Sequence, residues 1–454
     1  MNLKPVAMIF CLFGFSACAT TSEQTARQSL NHHAAETASV LRHRPHGEKS
    51  GVPDGSLPGY IAYAMENNPQ LAAQFERWRA SVYRISTARR LPDPVISYAY
   101  YISQVETRVG PQRHRVSLKQ TFPWPTRLSA GADAAAARAT SQQEKFDAMA
   151  IQIAASVEQI YWQIWKTQES RKVQEAQQTV LSGLSESANA MLMTGRIDLS
   201  EQQQIDLAHA RIDDSLSMLD EQLVQQRALL RGVISAPADM DIPVTSVPNL
   251  EKESLDETAL LSSVKKHPSL RAYDALAQSS ALEAEKEETT RYPNFTLGVD
   301  WIETGEAQNP STPDSGKDAF MAGIGVSIPL WQRNYQESVD AYRAEEKAYT
   351  ADGEAAADRA VASFYQTLSQ IRDAERRIGL YEHTLVPQAE SVYESVLGAY
   401  ASGRGNVAST LLAQQALLEL RLQLINAETE YLIKIAALKN LVGHDFEGKA
   451  HHEN

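Results

Sequence analysis

The chain has 454 residues, roughly three ordinary domain lengths, yet aromatic residues make up 7% and charged residues 22% of it. Mean hydropathy is −0.36, and no apolar run approaches the ~20 residues of a membrane-crossing helix, which excludes a polytopic helical membrane protein. Asp and Glu outnumber Lys and Arg by 56 to 43, which argues against a nucleic-acid partner.

The chain opens with Lys4 and an apolar stretch over residues 6–15, the length of a signal-peptide core. Phe15-Ser16-Ala17-Cys18 follows and resembles the lipobox of bacterial lipoproteins, with Phe15 where Leu is usual. Residues 1–17 therefore read as a lipoprotein signal peptide and Cys18 as the lipid anchor. An ordinary secretory signal cut nearby is the alternative. Cys11 would leave with the signal, so Cys18 would be the only cysteine of the mature chain and no disulfide could form within it. Ala19 after the cysteine is compatible, by the same resemblance, with outer-membrane sorting. Residues 18–55 lack an apolar period and read as a lipidated, flexible tether. His32, His33, His43, His46, His451 and His452 match no zinc spacing, and no metal or cofactor is expected.

An internal repeat organises the remainder. Glu66-Asn67-Asn68-Pro69-Gln70-Leu71 returns as Lys265-Lys266-His267-Pro268-Ser269-Leu270, and Phe122-Pro123-Trp124 as Ile328-Pro329-Leu330-Trp331. Met193-Thr194-Gly195-Arg196 returns as Ala401-Ser402-Gly403-Arg404. The offset drifts slowly, 199 residues at Pro69 and Pro268 and 208 at Gly195 and Gly403. Two tandem copies over 56–232 and 254–443 are thus expected, joined by a linker over 233–253 and followed by a polar tail over 444–454.

Each copy reads helix, two strands, very long helix, turn, return helix. The first helix is predicted over 56–90, ended by Pro92 and Pro94. Strands are predicted over 95–103 and 114–122. Val116, Leu118, Gln120 and Phe122 alternate with Ser117, Lys119 and Thr121. In the second copy Phe295, Leu297, Val299 and Trp301 share a parity, as do Phe320, Ile324, Val326 and Ile328. Long helices are predicted over 126–193 and 332–401, each roughly 100 Å by helical rise, with Pro387 kinking the second. The return helices carry coiled-coil spacing at Ile212, Leu216, Leu219, Leu223 and Leu230, and at Leu411, Leu418, Leu422, Ile425 and Leu432.

Strands of this length suit a tilted bilayer crossing, but four cannot close a barrel. Open edges in lipid leave backbone groups unpaired at several kcal/mol each. Either several chains share one barrel, or the strands form a soluble four-stranded sheet.

The repeat, the strand pairs, the long hairpins, Asn68-Pro69-Gln70-Leu71 and Ala399-Tyr400-Ala401-Ser402-Gly403 together resemble the TolC family of outer-membrane efflux proteins over residues 56–443. The candidate anchor at Cys18 resembles the lipoprotein branch with CusC-type proteins. The resemblance implies a mainly α fold with a β-barrel part: a homotrimer with a 12-stranded barrel above a periplasmic helical tunnel. It further implies docking to a periplasmic adaptor and an inner-membrane transporter. The implied function is that of a passive exit duct in a tripartite efflux system. A type I protein-secretion duct and a non-conducting envelope lipoprotein are the alternatives.

No catalytic constellation is present. Ser263-Val264-Lys265-Lys266 matches S-x-x-K without the rest of a Ser–Lys set, so no enzyme is expected. The sharpest candidates are the two hairpin turns. Gly195, Arg196, Asp198, Ser200 and Glu201 form one, and Gly403, Arg404, Gly405 and Ser409 the other. Gly suits the left-handed helix stop, and Asp198, Ser200 and Asn406 can cap the returning helices. In the family these tips form the periplasmic gate and meet the adaptor. Pore-facing acids of the family fall here on Ser409 and Leu412, so an aspartate ring is not expected. Met191 and Met193 read as packing residues rather than a soft-metal path, and Trp124 and Trp331 as interfacial anchors.

Overall fold

Asn68 divides what the sequence suggested as one helix into two. Its Oδ1 accepts hydrogen bonds from the Gln70 and Leu71 amides at 2.8 and 3.3 Å, while Nδ2 donates to the Val233 carbonyl at 2.8 Å. The Asn-Pro motif is thus a helix N-cap that also ties the start of the first copy to its end. In the second copy His267 does the capping: its Nδ1 accepts from the Ser269 amide at 3.2 Å.

The computed structural model describes residues 21–42, 53–245, 248, 250, 255–309 and 311–443. The signal peptide, Cys18, His43, His46, His451, His452 and the 444–454 tail lie outside the described residues. The helices are α1 (Thr21–Arg42), α2 (Leu57–Asn67), α3 (Pro69–Ala88), α4 (Pro125–Met193), α5 (Leu199–Ile234), α6 (Glu257–Val264), α7 (Pro268–Glu288), α8 (Gln332–Leu380), α9 (Val386–Ala401) and α10 (Val407–Val442). The strands are β1 (Val95–Thr107), β2 (Gly110–Phe122), β3 (Asn294–Thr304) and β4 (Ala319–Ser327). The order helix, helix, strand, strand, long helix, return helix occurs twice. None of the described helices is long and apolar enough to cross a membrane.

Two compact units emerge. One comprises residues 1–44, 76–144 and 271–353 and contains the sheet, an antiparallel array in the order β1-β2-β3-β4. The first hairpin is longer than predicted, because β1 extends past an irregularity between Tyr100 and Val105 to a tight turn before Gly110. In the same unit the flexible-tether reading is corrected. Residues 21–42 form α1, held by buried Glu23 and by Leu30, and His33 meets Trp78 edge-on at 5.2 Å. Burying these side chains supplies the order that composition alone did not forecast.

The other unit comprises residues 45–75, 145–270 and 354–454. Its core gathers Tyr60, Tyr161, Ile164, Phe364, Leu368 and Leu438, all nearly inaccessible. Tyr161 donates to the Gly55 carbonyl at 2.9 Å and Tyr60 to that of Pro243 at 2.7 Å, so these buried hydroxyls are satisfied. Residues of the linker thereby pack into the core. The predicted kink at Pro387 is a π-helical turn over Tyr381–Leu385, in which the Val386 amide reaches the Tyr381 carbonyl. The wider turn absorbs a ring that would clash with the carbonyl four residues back.

Candidate functional site

The sheet of the first unit is apolar on one face in aligned rows. Ile96, Leu118, Val299 and Ala322 are register partners across the four strands, and Tyr98, Val116, Trp301 and Phe320 make another such row. This face is open: Ile102 is 94% exposed and Ile324 75%. An apolar area of that extent is costly in water and at home against hydrocarbon. The opposite face is polar. Arg115 meets Asp300 at 2.9 Å, Ser97 meets Ser117 at 2.5 Å, and Thr121 meets Thr296 at 3.0 Å. Among the described residues β1 pairs only with β2 and β4 only with β3, leaving two free edges. Trp124 stacks on Tyr292 with centroids 4.8 Å apart, while Trp331 is 71% exposed just past β4.

The hairpin tips belong to the second unit. At the first, Gly195 sits at φ +67°, and the Arg196 amide closes the turn on the Met191 carbonyl at 2.9 Å. Asp198, not Ser200, is the N-cap of α5, in a capping box with Glu201; Ser200 lies inside the first turn. At the second, Gly403 sits at φ +72°, and the Arg404 amide bonds the Ala399 carbonyl at 2.9 Å. Asn406 caps α10 by accepting from the Ser409 amide at 2.8 Å. A Cβ on Gly405 would stand 2.8 Å from the Tyr400 amide nitrogen, so the turn has no room for a side chain there. Arg404 Nε donates to Ser402 Oγ at 3.2 Å, within its own turn.

The two tips pack on each other. Leu184, Ala188, Ile205, Tyr400 and Val407 form a small buried cluster, with Met191, Ile197 and Leu411 against it. Burial, and secondarily the nearby Glu201, raises the Tyr400 hydroxyl above the usual tyrosine range. Met191 is therefore a packing residue, whereas Met193 is fully open. The hairpins are laced above the tips by Arg171 to Asp220 at 2.7 Å, Gln178 to Asp213 at 2.6 Å, Lys166 to Asn426 at 2.6 Å and Arg421 to Glu390 at 2.6 Å. Ser263 of the S-x-x-K match donates to the Ala259 carbonyl at 3.3 Å, as an ordinary helix-end serine does.

Sequence reasoning missed Glu428 on α10. Burial, then the charges of Glu382 and Glu169, push its carboxyl up to about 7. Only the tertiary arrangement brings these three acids together, so no local motif announces them.

Residues 261–444 match the family described as outer membrane efflux protein. The fold matches solved structures over most of the chain. The outer membrane protein VceC from Vibrio cholerae superposes with a TM-score of 0.70 at 17% identity, covering 86% of this chain and 97% of that one. The outer-membrane channel OprN gives 0.73 at 14% identity, covering 86% and 90%. CusC gives 0.71 at 12% identity, covering 88% and 95%. No curated protein matches the sequence.

Proposed function

Proceeding from this kinship with outer membrane efflux proteins, we propose that the chain is the outer-membrane exit duct of a tripartite efflux system. Substrates delivered by an inner-membrane pump and a periplasmic adaptor would leave through it passively. The observation that carries this reading is the sheet: an exposed apolar face, a polar opposite face and two free edges on one four-stranded array. Such a sheet is complete only in lipid and only when its edges are paired by other copies. Three copies supply twelve strands, enough for a lumen, where two would leave a barrel filled by its own side chains. Cys18 carries the lipid on this reading, and the hairpin tips form the periplasmic end.

Purified protein in mild detergent should show about three mature masses by native mass spectrometry and stepwise conductance in planar bilayers. A trimer that never conducts would overturn the duct in favour of an envelope spacer. A monomer as sole species would overturn the shared barrel. Fatty-acid labelling of cells should mark the wild type and spare Cys18→Ala, and equal labelling of both would remove the anchor.

A further inference from the structure

Within the sheet-bearing unit the helices follow the order of the strands. A Cβ at Gly131 of α4 would lie 3.6 Å from the Ala88 carbonyl of α3 and 3.4 Å from the Lys286 side chain of α7. Ser279 of α7 donates to the Ala134 carbonyl of α4 at 3.0 Å. Arg343 of α8 meets Glu288 of α7 at 3.7 Å. Apart from α1, which packs on a different side of α3 at Trp78 and Arg89, the order is therefore α3-α4-α7-α8, in parallel with β1-β2-β3-β4. The two end helices adjoin the two free strand edges.

The end helices differ in charge. Residues 69–90 hold five arginines against one glutamate, Arg89 among them being taken up by Glu23 of α1, and residues 332–353 hold five acids against three bases. Their outer faces repeat the contrast. On α3, Ser81, Arg84 and Ala88 line a cavity with α4. Arg79, Tyr83 and Ser86 project about half a turn away from them, at 100° per residue. Arg90 follows just past the helix end. Among the described residues Arg79 has one ion-pair partner, Glu76 at 2.6 Å, in an exposed pair that exchanges readily. On α8, Val339 is buried and Arg343 reaches α7, whereas Ala341, Glu345, Ala348 and Asp352 form an exposed stripe on the other side. Glu345 and Asp352 have no ion-pair or hydrogen-bond partner among the described residues. Ala341 and Ala348 in the same stripe allow a neighbouring helix to come close.

We propose that this acidic face of α8 docks on the basic face of α3 of a second copy of the chain, so that Glu345 and Asp352 meet Arg79 and its neighbours across the seam. A second copy is the fitting occupant because the same junction must join β4 of one chain to β1 of the next, and a head-to-tail contact repeated by rotation closes a ring. A symmetric contact would instead oppose α8 to α8 and set acid against acid. The proposal rests on the shared-barrel reading and adds what selects the direction and register of assembly.

The test uses the full chain in mild detergent. Arg79→Glu and Glu345→Arg, each alone, should lower the oligomer fraction in native mass spectrometry several-fold. The double variant Arg79→Glu/Glu345→Arg should recover most of it. Losses that simply add in the double variant overturn the seam. A second pair guards against misfolding: Tyr83→Cys with Ala341→Cys, treated with a short bismaleimide, should give a covalent ladder ending at the closed ring. Each single cysteine and the wild type should give none. Covalent dimers from a single cysteine would mean a symmetric contact and overturn the proposal. A monomeric wild type would overturn the shared barrel itself, which separates the two failures.

Discussion

Glu23 Oε2 lies 2.9 Å from Arg89 Nε, with Glu23 only 1% exposed. Arg27, one turn along α1, adds a second contact to the same carboxylate at 2.9 Å. A residue five positions beyond Cys18 is thereby fastened to the end of α3, six positions before β1 begins. Residues 21–34 are thus held against α3 rather than left free.

Glu23→Gln keeps the shape and removes the charge. Arg89 retains some solvent, so the expected loss in α1 docking is about 2 kcal/mol, below the usual range for breaking a fully buried pair. Hydrogen exchange over residues 21–34 should accelerate while the sheet stays protected. Unchanged exchange would show that apolar contacts at Leu30 and Trp78 suffice.

Tyr400→Ala should loosen both tips together. Emptying a buried aromatic site costs about 3–5 kcal/mol, and the cluster joins Leu184 and Ile205 of the first hairpin to Val407 of the second. Tyr400→Phe should be neutral or slightly stabilising, because the buried hydroxyl has no hydrogen-bond partner among the described residues. Equal effects of the two variants would contradict a packing role.

Glu428 predicts a pH dependence with a definite sign. Its folded-state carboxyl is raised from 4.5 to about 7. Between those values the folded chain binds the proton more tightly than the unfolded chain does. Stability from this site is full below about pH 4.5 and is lost as pH rises to about 7. Glu428→Gln should raise the apparent melting temperature above that of the wild type at pH 8 and leave it unaltered at pH 4.5. A constant difference at both pH values would place the effect elsewhere.

Arg404 touches Ser402 within its own turn, and in the proposed trimer its charge would meet Asp198 or Glu201 of a neighbouring hairpin. One exposed pair is worth at most ~1 kcal/mol, but the threefold symmetry of the proposed trimer would repeat it around one opening. Arg404→Glu should raise the open probability of single channels several-fold at matched trimer content. Conductance identical to wild type would leave Gly403-Arg404-Gly405 as a plain helical turn.

Pattern alone determined much of this protein. Period-2 alternation located β2, β3 and β4, because a half-buried strand shows its face in every second residue. The uninterrupted stretch after Pro125 marked α4, and Gly195 and Gly403 marked the turns, because a left-handed helix stop favours glycine wherever it occurs. The tertiary structure decided what depends on partners distant in sequence. α1 is ordered because Glu23 meets Arg89 sixty-six residues away. The His267 motif caps its helix although it looks degraded, because a ring nitrogen can replace an amide oxygen as acceptor. Glu428 is raised because burial and two carboxylates from other helices converge on it, and the charged ends of the α3-α4-α7-α8 row exist only once four separate segments lie side by side. Hydrophobic period and turn chemistry are local and survive in a linear string, whereas pairing, burial and charge are sums over neighbours that folding alone assembles.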